Sequence, residues 1–590
     1  MKDWFDVAKK IESRVLLAAE SAGLDLAVFD ADVRPADPRF GDVQANGALP
    51  YAKRHKTNPR QLAQSILAKL EEDDEVKGVA TLSIAGPGFI NFTLKPTFIL
   101  EWVKTFSGET ALRESAGQLK ANRKVVVDFG SPNTAKQMHV GHIRSIVIGE
   151  TICRLLEFCG AKVVRDNHIG DWGTPYGKLF YAYKRELDQE ALENDPLEEL
   201  ERLYKLGSSL ANEDESVLEE SRQELVALQN GDSQSMALWE RVNDLSIQGL
   251  KTIYEVLDVT YDCYLGESFY RDKVEQVYNE LCESGIAEES KGALVVFHPE
   301  HKRYSKQPFI IRKSDGASNY ATTDLATMLY RKEHFEATDV IIVTDARQKD
   351  HFEQLDLTCQ KWFQASKRDL PDFSHVMFGS INGEDGKPIK SRSGDPIRLR
   401  ELLNESIERA YVIVKEKFEE RNAAIDEEEL MHIASVVGVS AIKYADLSQN
   451  RTSDYQFSWN KLLAFDGNTA PYLLYAATRV QSIFRKLEAG DQNDLESKAS
   501  PYETAEELAL AKKVIGFVGT LHTTVDTLKP HFLCTYLYEL AGTFSAFYAA
   551  NTVIVDDEGQ KARRILLCKR TLEILKTGLS LLGIPTLERM

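Results

Sequence analysis

Two histidines and a lysine occur together in the segment SPNTAKQMHVGHIRS, residues 131–145. The apolar run KVVVDF precedes it and a helix-like run follows it, so the segment is predicted to be a loop between a buried strand and a helix. Such a loop lies at the carboxyl edge of a parallel sheet, where open α/β folds bind ligands. The helix start favours a phosphate, and His139, His142 and Lys136 add donors and charge. Gly141 allows a close approach of the backbone, so the segment is suited to stabilising a phosphoryl group.

Other interpretations of the histidine segment remain open when it is taken alone. H-x-G-H also fits a chance pair, or two imidazoles that cap a helix. A metal site would need further ligands, and neither a nearby cysteine nor an H-E-x-x-H pattern supplies them, so no structural metal is expected. A P-loop does not fit, because GTPYGKL at 173–179 is one residue short and has Leu179 where Ser or Thr must hold Mg²⁺.

A second cationic segment, GKPIKSRSG at 386–394, follows the apolar run HVMFGSI. Glycines flank Lys387, Lys390 and Arg392, so the segment is predicted to be a flexible loop that closes over a triphosphate. Taken alone it also fits a solvated turn. The order of strand, H-x-G-H, helix and a distant Lys-Ser loop after another strand is far more specific than either segment.

The elements around these segments fall into different patterns along the chain. Helical patterns at 1–20 and 58–72 and a hairpin turning at Gly86-Pro87-Gly88 indicate a small N-terminal α+β unit, and ALRESAGQLKANRK is interpreted as a linker. The apolar runs KVVVDF, AKVVRDNHIG, QPFIIRK, ATDVIIVTD and HVMFGSI then predict a parallel sheet in two halves, separated by an acidic helical insertion. Four long helical patterns near the end predict a bundle.

Composition constrains the function and location of the protein less strongly than the motifs do. The net charge of −19 weakly disfavours nucleic-acid binding, but net charge does not describe local patches. The seven cysteines are scattered without a C-x-x-C pair, which favours reduced thiols and a cytoplasmic location. Without a run of about 18 apolar residues, no membrane span is expected, and the N-terminus reads as an amphipathic helix rather than a targeting segment.

The paired segments resemble the class I aminoacyl-tRNA synthetases, since HVGH is similar to their HIGH signature and KPIKS to their KMSKS loop. The whole chain resembles arginyl-tRNA synthetases in NHIGDWGTPYG, NYATTDLAT, DARQKDH, GKPIKSRSGDPIRLRELL, FDGNTAPYLLYAATRV and the ending LLGIPTLERM. The implied fold is multidomain α/β. Its parts are a small N-terminal α+β, tRNA-contacting domain (1–118), a Rossmann-like parallel-sheet catalytic domain (119–400) with a helical insertion (about 180–300), a linking and stem-contact region (401–460), and an all-α anticodon-binding bundle (461–590).

The resemblance implies that arginine and ATP give arginyl-adenylate, and that arginine then passes to tRNA(Arg). Mg²⁺ would accompany ATP, and the enzyme would be a monomer. The implied catalytic residues are His139, His142, Lys136 and Lys390. The implied ATP-binding residues are Gly141, His351, Lys387 and Ser391. The loop departs from the usual signature, because aligning Gly394 with the glycine that follows the signature puts Ser391 at the second lysine; Lys136 is expected to compensate.

An arginine pocket is implied by the same resemblance. Its residues would be Asp128, Ser131, Asn133, His139, Tyr320, Asp324 and Gln348. Asp128 and Asp324 are the anions that a guanidinium and an amine require, although many relatives have Glu in place of Asp128. Without the family, a solvated carboxylate at Asp128 and plain packing at Tyr320 are the alternatives. His168, Asp171 and Trp172 would line the pocket or buttress it.

The C-terminal bundle is expected to read the anticodon, since aromatic faces beside arginines suit splayed bases. The implied residues are Tyr475, Arg479, Tyr548 and Met590, with bundle core as the alternative for the tyrosines. The segment KARRILLCKR predicts a phosphate-facing stripe, and YAKRHKTNPR in the N-terminal domain predicts a second basic patch directed at the tRNA elbow. Two other functions remain open: a synthetase of this class for another amino acid, and a tRNA-binding paralogue without activity.

Overall fold

The computed structural model of the chain describes residues 2–37, 39–106, 109–314, 320–383, 385–387, 389, 396–487 and 494–590. The N-terminal part pairs four antiparallel strands in the order β1-β2-β4-β3. Its elements are α1 (Val7–Ser21), β1 (Val33–Pro35), β2 (Val43–Ala45), α2 (Ala48–His55), α3 (Pro59–Leu70), α4 (Asp74–Val79), β3 (Ala80–Ala85), β4 (Phe89–Leu94), α5 (Pro96–Thr105) and α6 (Glu109–Ala116), after a 3₁₀ turn at Lys2–Trp4. The predicted hairpin is β3 and β4. The predicted linker is wrong in part, because α6 forms there and buries Leu112 and Ala116.

The central part alternates strands and helices. Its elements are β5 (Lys124–Asp128), α7 (Val140–Phe158), β6 (Lys162–Asp166), α8 (Pro175–Glu186), α9 (Gln189–Asn194), α10 (Pro196–Glu213), α11 (Glu215–Gln229), α12 (Ser233–Val256), α13 (Glu267–Tyr270), α14 (Val274–Glu283), β7 (Ala287–Ser290), β8 (Ala293–Val296), β9 (Phe309–Arg312), α15 (Tyr320–Glu333), β10 (Asp339–Ile342), α16 (Lys349–Ala365), β11 (Asp372–His375) and β12 (Ile381–Asn382), with 3₁₀ turns at Arg271–Lys273 and Ala346–Gln348.

A parallel sheet in the order β11-β10-β5-β6 carries the site. The strand β5 is central, with Val126 opposite Val340 on one side and Val164 on the other. Val125 and Val127 pack into one core cluster and Val126 into another, so both faces of β5 are buried, which is why KVVVDF is apolar almost throughout. The helix α7 leaves the carboxyl edge of β5, so its first residues lie where the sequence placed the ligand.

Three sequence predictions about this part are corrected. QPFIIRK forms β9, but β9 pairs antiparallel with β8 in a separate three-stranded sheet, because short apolar runs do not encode their partners. HVMFGSI was predicted as a strand, yet β11 covers Asp372–His375 and largely precedes it. The insertion, predicted to be helical, also contains the strands β7 and β8.

The C-terminal part is almost entirely helical, as predicted. Its elements are α17 (Leu399–Glu420), α18 (Glu427–Leu447), β13 (Tyr455–Gln456), α19 (Trp459–Leu462), α20 (Ala470–Phe484), α21 (Leu495–Lys498), α22 (Ala505–Thr527), α23 (His531–Ala550) and α24 (Glu558–Leu581). The short strand β13 pairs with β12. The helix α7 packs against α17, α18, α22 and α24, so the helix that follows the histidine segment and the bundle share one core.

Candidate functional site

His139 and His142 form a reciprocal cap at the start of α7. The backbone N–H of Gly141 donates to Nδ1 of His139, and the backbone N–H of His139 donates to Nδ1 of His142, both at 3.1 Å. The two rings lie 4.1 Å apart between centres. The capping interpretation of H-x-G-H is therefore correct, and it is compatible with ligand binding because each ring keeps Nε2 outside the cap.

The protonation of these rings follows from the cap. The carbonyl of His139 already accepts from the backbone N–H of His142 at 2.9 Å, and the N–H of His139 can only donate, so we assign Nδ1 of His142 as an acceptor. Burial lowers the pKa of His139, and burial together with His139 lowers the pKa of His142 to about 4. Both imidazoles are therefore neutral near pH 7 and present Nε2–H donors without a charge.

The segment after the second cationic loop is fixed directly against the histidine segment. The N–H of Val140 donates to the carbonyl of Ile397 at 2.8 Å, and the N–H of Leu399 donates to the carbonyl of Met138 at 2.9 Å. Two segments some 250 residues apart in the chain therefore meet at one sheet edge. The residues that follow the cationic loop are therefore fixed beside the histidine segment.

The loop itself is described only in part. Lys387 is exposed, and its backbone N–H donates to Oδ1 of Asp385 at 3.1 Å. The predicted Lys390 and Ser391 lie outside the described residues. Their assignment to catalysis and to ATP binding stays a prediction.

Lys136 contacts the insertion. Its ammonium lies 4.5 Å from the centre of the Tyr204 ring of α10, a cation–π contact. The same helix binds the segment behind the cationic loop, since Arg398 pairs with Glu198 at 3.2 Å and Arg400 with Asp195 at 2.7 Å. The helix α10 and its N-cap Asp195 thus bind cations of the histidine segment and of the segment behind the cationic loop, and no local pattern in the sequence predicts these long-range contacts.

Asp128 and Ser131 lie together at the end of β5. The Ser131 hydroxyl donates to Oδ1 of Asp128 at 3.0 Å, and Nη2 of Arg331 donates to Oδ2 of Asp128 at 2.6 Å. Asp128 is 6% exposed, so the alternative of a solvated carboxylate is wrong. Asn133 is exposed and forms a bridge with Gly170, where a Cβ atom would lie 2.1 Å from the Asn133 Oδ1.

The remaining predicted pocket residues lie on α15 and at the start of α16. Oδ2 of Asp324 lies 2.5 Å from Nε2 of His351, so a predicted arginine ligand contacts a predicted ATP ligand. Tyr320 is 74% exposed, which argues against plain packing. Gln348 is exposed in the 3₁₀ turn before α16.

Glu267 is a candidate pocket residue that the sequence reasoning missed. Burial raises its pKa to about 7; nearby His168 lowers it, and the carboxylates of Asp171 and Asp324 raise it further. A half-buried carboxyl group beside two others is a site that a cation would stabilise. It lies in the insertion on α13, in LGESFY, which carries no motif that could have identified it.

Asp171 and Trp172 are each held by contacts with the insertion. Asp171 accepts from the Ser268 N–H at 2.8 Å and from the Ser268 hydroxyl at 2.6 Å, which ties it to α13. Trp172 packs edge-on against Trp239 with ring centres 5.7 Å apart. Trp172 also lines a small cavity with Asn133 and Lys136, so both predicted roles, lining the pocket and supporting it, stay predictions.

The predicted anticodon residues form two clusters. The Arg479 guanidinium lies 5.2 Å from the centre of the Tyr548 ring. The Arg421 guanidinium lies 5.3 Å from the centre of the Tyr475 ring and donates to the carbonyl of Met590 at 2.7 Å. Arg421 therefore joins two predicted residues, although the sequence did not single it out.

The predicted phosphate-facing stripe on α24 is wrong for three of its five residues. Arg563, Arg564 and Arg570 are at most 6% exposed. Arg563 and Arg564 both bind Glu507, and Arg570 donates to the carbonyl of Val103. The buried carboxylate of Glu507 thus pairs with two of these arginines, and Arg570 pairs with Glu496 and Glu573. In the N-terminal domain, Lys53 and Arg54 of the second basic patch are exposed.

The described residues bear on two further features, a metal site and a membrane-spanning helix. In that part of the chain, no three His, Cys, Asp or Glu side chains come together as a metal site. One helix, α18, is long and apolar enough to cross a membrane by length and composition, but 72% of its most apolar window is buried inside the protein. Such burial is typical of a core helix.

Three family models match consecutive parts of the chain. They are the arginyl-tRNA synthetase N-terminal domain at 7–94, the class I (R) tRNA synthetase catalytic domain at 109–459, and the DALR anticodon-binding domain at 473–590. An arginine–tRNA ligase of Marinomonas sp. (strain MWYL1) is 42% identical over 585 residues, which cover 98% of this chain and 99% of the relative. The arginine–tRNA ligase of Rippkaea orientalis is 42% identical over 583 residues, covering 96% and 97%.

Solved structures agree with these relatives. The crystal structure of arginyl-tRNA synthetase from Plasmodium falciparum aligns with a TM-score of 0.83 at 28% identity, covering 99% of both chains. The Thermus thermophilus arginyl-tRNA synthetase shares the fold, with a TM-score of 0.81 at 23% identity over 99% of this chain and all of that one. By sequence over its full length, the chain belongs to the arginyl-tRNA synthetase family.

Proposed function

We propose that this protein is an arginine–tRNA ligase, which activates L-arginine with ATP to arginyl-adenylate and transfers arginine to tRNA(Arg). The observation that carries the proposal is the backbone pairing of Met138 and Val140 with Ile397 and Leu399. This pairing brings the histidine segment and the segment after the cationic loop to one edge of a parallel sheet, where a nucleotide binds in this class of fold.

In this proposal, His139 and His142 stabilise the α-phosphate as charge develops on its oxygens. Neutral Nε2–H groups suit the role because they donate without first losing or gaining a proton near pH 7. Lys136, with Lys387, Lys390 and Ser391 of the loop, binds the β- and γ-phosphates, and Gly141 leaves room for the nucleotide. Mg²⁺ enters bound to ATP.

The arginine pocket in this proposal lies between the end of β5 and the α15 surface. Asp324, Glu267 and Tyr320 take the guanidinium, because a planar cation with five donors matches carboxylate and hydroxyl acceptors. Asp128, Ser131, Asn133 and Gln348 take the amine and the carboxylate. Release of Asp324 from His351 would free His351 for ATP.

The tRNA is proposed to lie along both ends of the chain. The Arg479–Tyr548 and Arg421–Tyr475 clusters offer aromatic faces and charge to anticodon bases, and Met590 lies beside the second cluster. The exposed lysine and arginine of α2 face the tRNA elbow. We further propose a monomeric, cytoplasmic enzyme, with work divided among residues 1–118, 119–400, 401–460 and 461–590.

Exchange of pyrophosphate into ATP tests the activity. The protein is assayed with each of the twenty amino acids, with and without total tRNA, and charging is measured in parallel. Arginine alone should support exchange and charging. Activity with another amino acid points to a different synthetase, and tRNA binding without either reaction points to an inactive paralogue; each outcome contradicts the proposal.

Asp324→Asn tests the pocket assignment. This change should raise KM for arginine by about 10- to 100-fold while KM for ATP stays within about twofold, since a charge-assisted hydrogen bond contributes about 1.5–3 kcal/mol. Asp356→Asn on α16 is the matched control, because Asp356, like Asp324, is a half-buried aspartate. Equal losses for arginine and ATP would contradict the assignment.

A further inference from the structure

Arg331 on α15 is buried beneath the candidate arginine pocket, with 0% of its side chain exposed. Its Nη2 donates to Oδ2 of Asp128 at 2.6 Å and to Oδ2 of Asp166 at 2.8 Å. Asp128 ends β5 and Asp166 ends β6, and the two are direct partners in the register of the parallel sheet. A single guanidinium nitrogen therefore bridges the carboxyl ends of two neighbouring strands.

The ion-pair bridge from Arg331 to Asp128 and Asp166 has a role in positioning that its contribution to stability does not explain. Like charges on neighbouring strands repel, so Asp128 and Asp166 require a cation between them. Yet Nε and Nη1 of Arg331 are buried and make no hydrogen bond among the described residues. Removing three charges from water costs free energy, and apolar side chains in the same place would not incur this cost. The arrangement is therefore poorly suited to stability alone.

The position of Arg331 on α15 indicates what the bridge positions. Asp324 lies seven residues earlier on the same helix, which is about two turns and places both side chains on one face. Asp324 and Tyr320 form the guanidinium end of the proposed pocket, while Asp128 and Ser131 form its amine end. Arg331 is the ion-pair link between the helix that carries one end and the strand that carries the other.

We propose that Arg331 is a positioning residue that sets the length of the arginine pocket, and hence the preference for arginine over guanidino amino acids with longer or shorter side chains. This inference rests on the proposed function. It assigns selectivity to a group that does not touch the substrate. Arginine and homoarginine, which differ by one methylene, are the appropriate probes.

The test compares kcat/KM for arginine and homoarginine in the exchange reaction of the full-length protein with saturating tRNA. Arg331→Lys keeps the charge but replaces the planar fork with a compact ammonium, so the spacing of α15 and β5 relaxes. We expect KM for arginine to rise about tenfold and the preference over homoarginine to fall about tenfold, since one methylene is discriminated by about 10- to 200-fold. KM for ATP should be unchanged.

Arg563→Lys is the matched control, because Arg563 is also 0% exposed and also pairs with two carboxylates, Glu503 and Glu507, but in the bundle. It should leave the preference unchanged. The inference is overturned if Arg331→Lys keeps the wild-type preference, raises the KM of arginine and ATP equally, or behaves as Arg563→Lys does. Wild-type failure to activate arginine would instead overturn the proposed function.

A second variant tests the inference if Arg331→Lys misfolds. If Arg331→Lys does not fold, as judged by its unfolding midpoint, Asp166→Asn removes the charge of one partner of Arg331 and leaves Asp128 in place. This variant should shift the preference toward homoarginine in the same direction by a smaller factor. An unchanged preference in a folded Asp166→Asn protein would equally overturn the inference.

Discussion

The ammonium of Lys136 lies 4.5 Å from the centre of the Tyr204 ring, so a cation of the histidine segment contacts the inserted helix α10. Lys136→Met should raise KM for ATP by about 10- to 100-fold, the value of one charge-assisted hydrogen bond, and leave KM for arginine unchanged. Tyr204→Leu frees the ammonium from the ring, and should lower KM for ATP by up to about fivefold. Steady-state exchange assays measure both, with Lys205→Met as the control. An unchanged KM for ATP in Lys136→Met would exclude its phosphate role.

The neutral state of His142 leads to a second prediction. His142→Ala should lower the exchange rate by about 100- to 1,000-fold, as expected for one preorganised donor, while tRNA binding persists. Because the pKa of His142 is about 4, its loss of function by protonation should begin only below pH 5. The exposed His432→Ala serves as the control. A wild-type rate that falls with protonation near pH 6.5 and a His142→Ala rate that does not would contradict the neutral-donor assignment.

Glu267 gives the arginine pocket its own pH dependence. Its pKa of about 7 means that the carboxyl group is partly protonated at neutral pH, and only the carboxylate attracts a guanidinium. KM for arginine should therefore fall as the pH rises from 6 to 8. In Glu267→Gln this trend should vanish and KM at pH 8 should be about tenfold higher or more. The exposed Glu283→Gln, on the neighbouring α14, should retain the wild-type trend.

The sequence predicted those parts of the site whose geometry is local. His139, Gly141 and His142 lie within four residues at a strand-to-helix junction, and the apolar runs on either side determine which edge of the sheet they occupy. The hairpin at Gly86 and Gly88 was predictable for the same reason, since both glycines adopt positive φ.

Long-range partners could not be predicted in this way. Arg331 meets Asp128 across 203 residues, and Glu267, in an insertion that has no motif, lies near Asp171 and Asp324. The prediction of a phosphate-facing stripe on α24 was wrong because the spacing of charges along a helix does not reveal that Glu507 of α22 pairs with two of its arginines. The pattern of apolar residues likewise identified β9 as a strand but did not identify its partner β8.

His298 should make the protein sensitive to acid. Burial lowers its pKa to about 4, as does nearby Lys361, against the opposing effect of Glu300. The unfolded ring takes up a proton below about pH 6.5 and the folded ring only near pH 4, so its stabilisation is present above pH 6.5 and is lost as the pH falls. Between pH 7 and 5 the wild type should lose about 2 kcal/mol more than His298→Gln. Parallel unfolding curves at both pH values would contradict this.

Arg421 connects the end of the chain to the predicted anticodon surface, since it contacts the Tyr475 ring and the Met590 carbonyl. Arg421→Ala removes a cation–π contact and a hydrogen bond, together about 1–2 kcal/mol, so KM for tRNA in charging should rise about 5- to 30-fold. KM for arginine at saturating tRNA should not change, because α7 and α15 are untouched. Arg222→Ala, which breaks an exposed pair with Glu219 on α11, is the control. If both variants charge tRNA with the wild-type KM, the Tyr475 cluster is bundle core and the anticodon lies elsewhere.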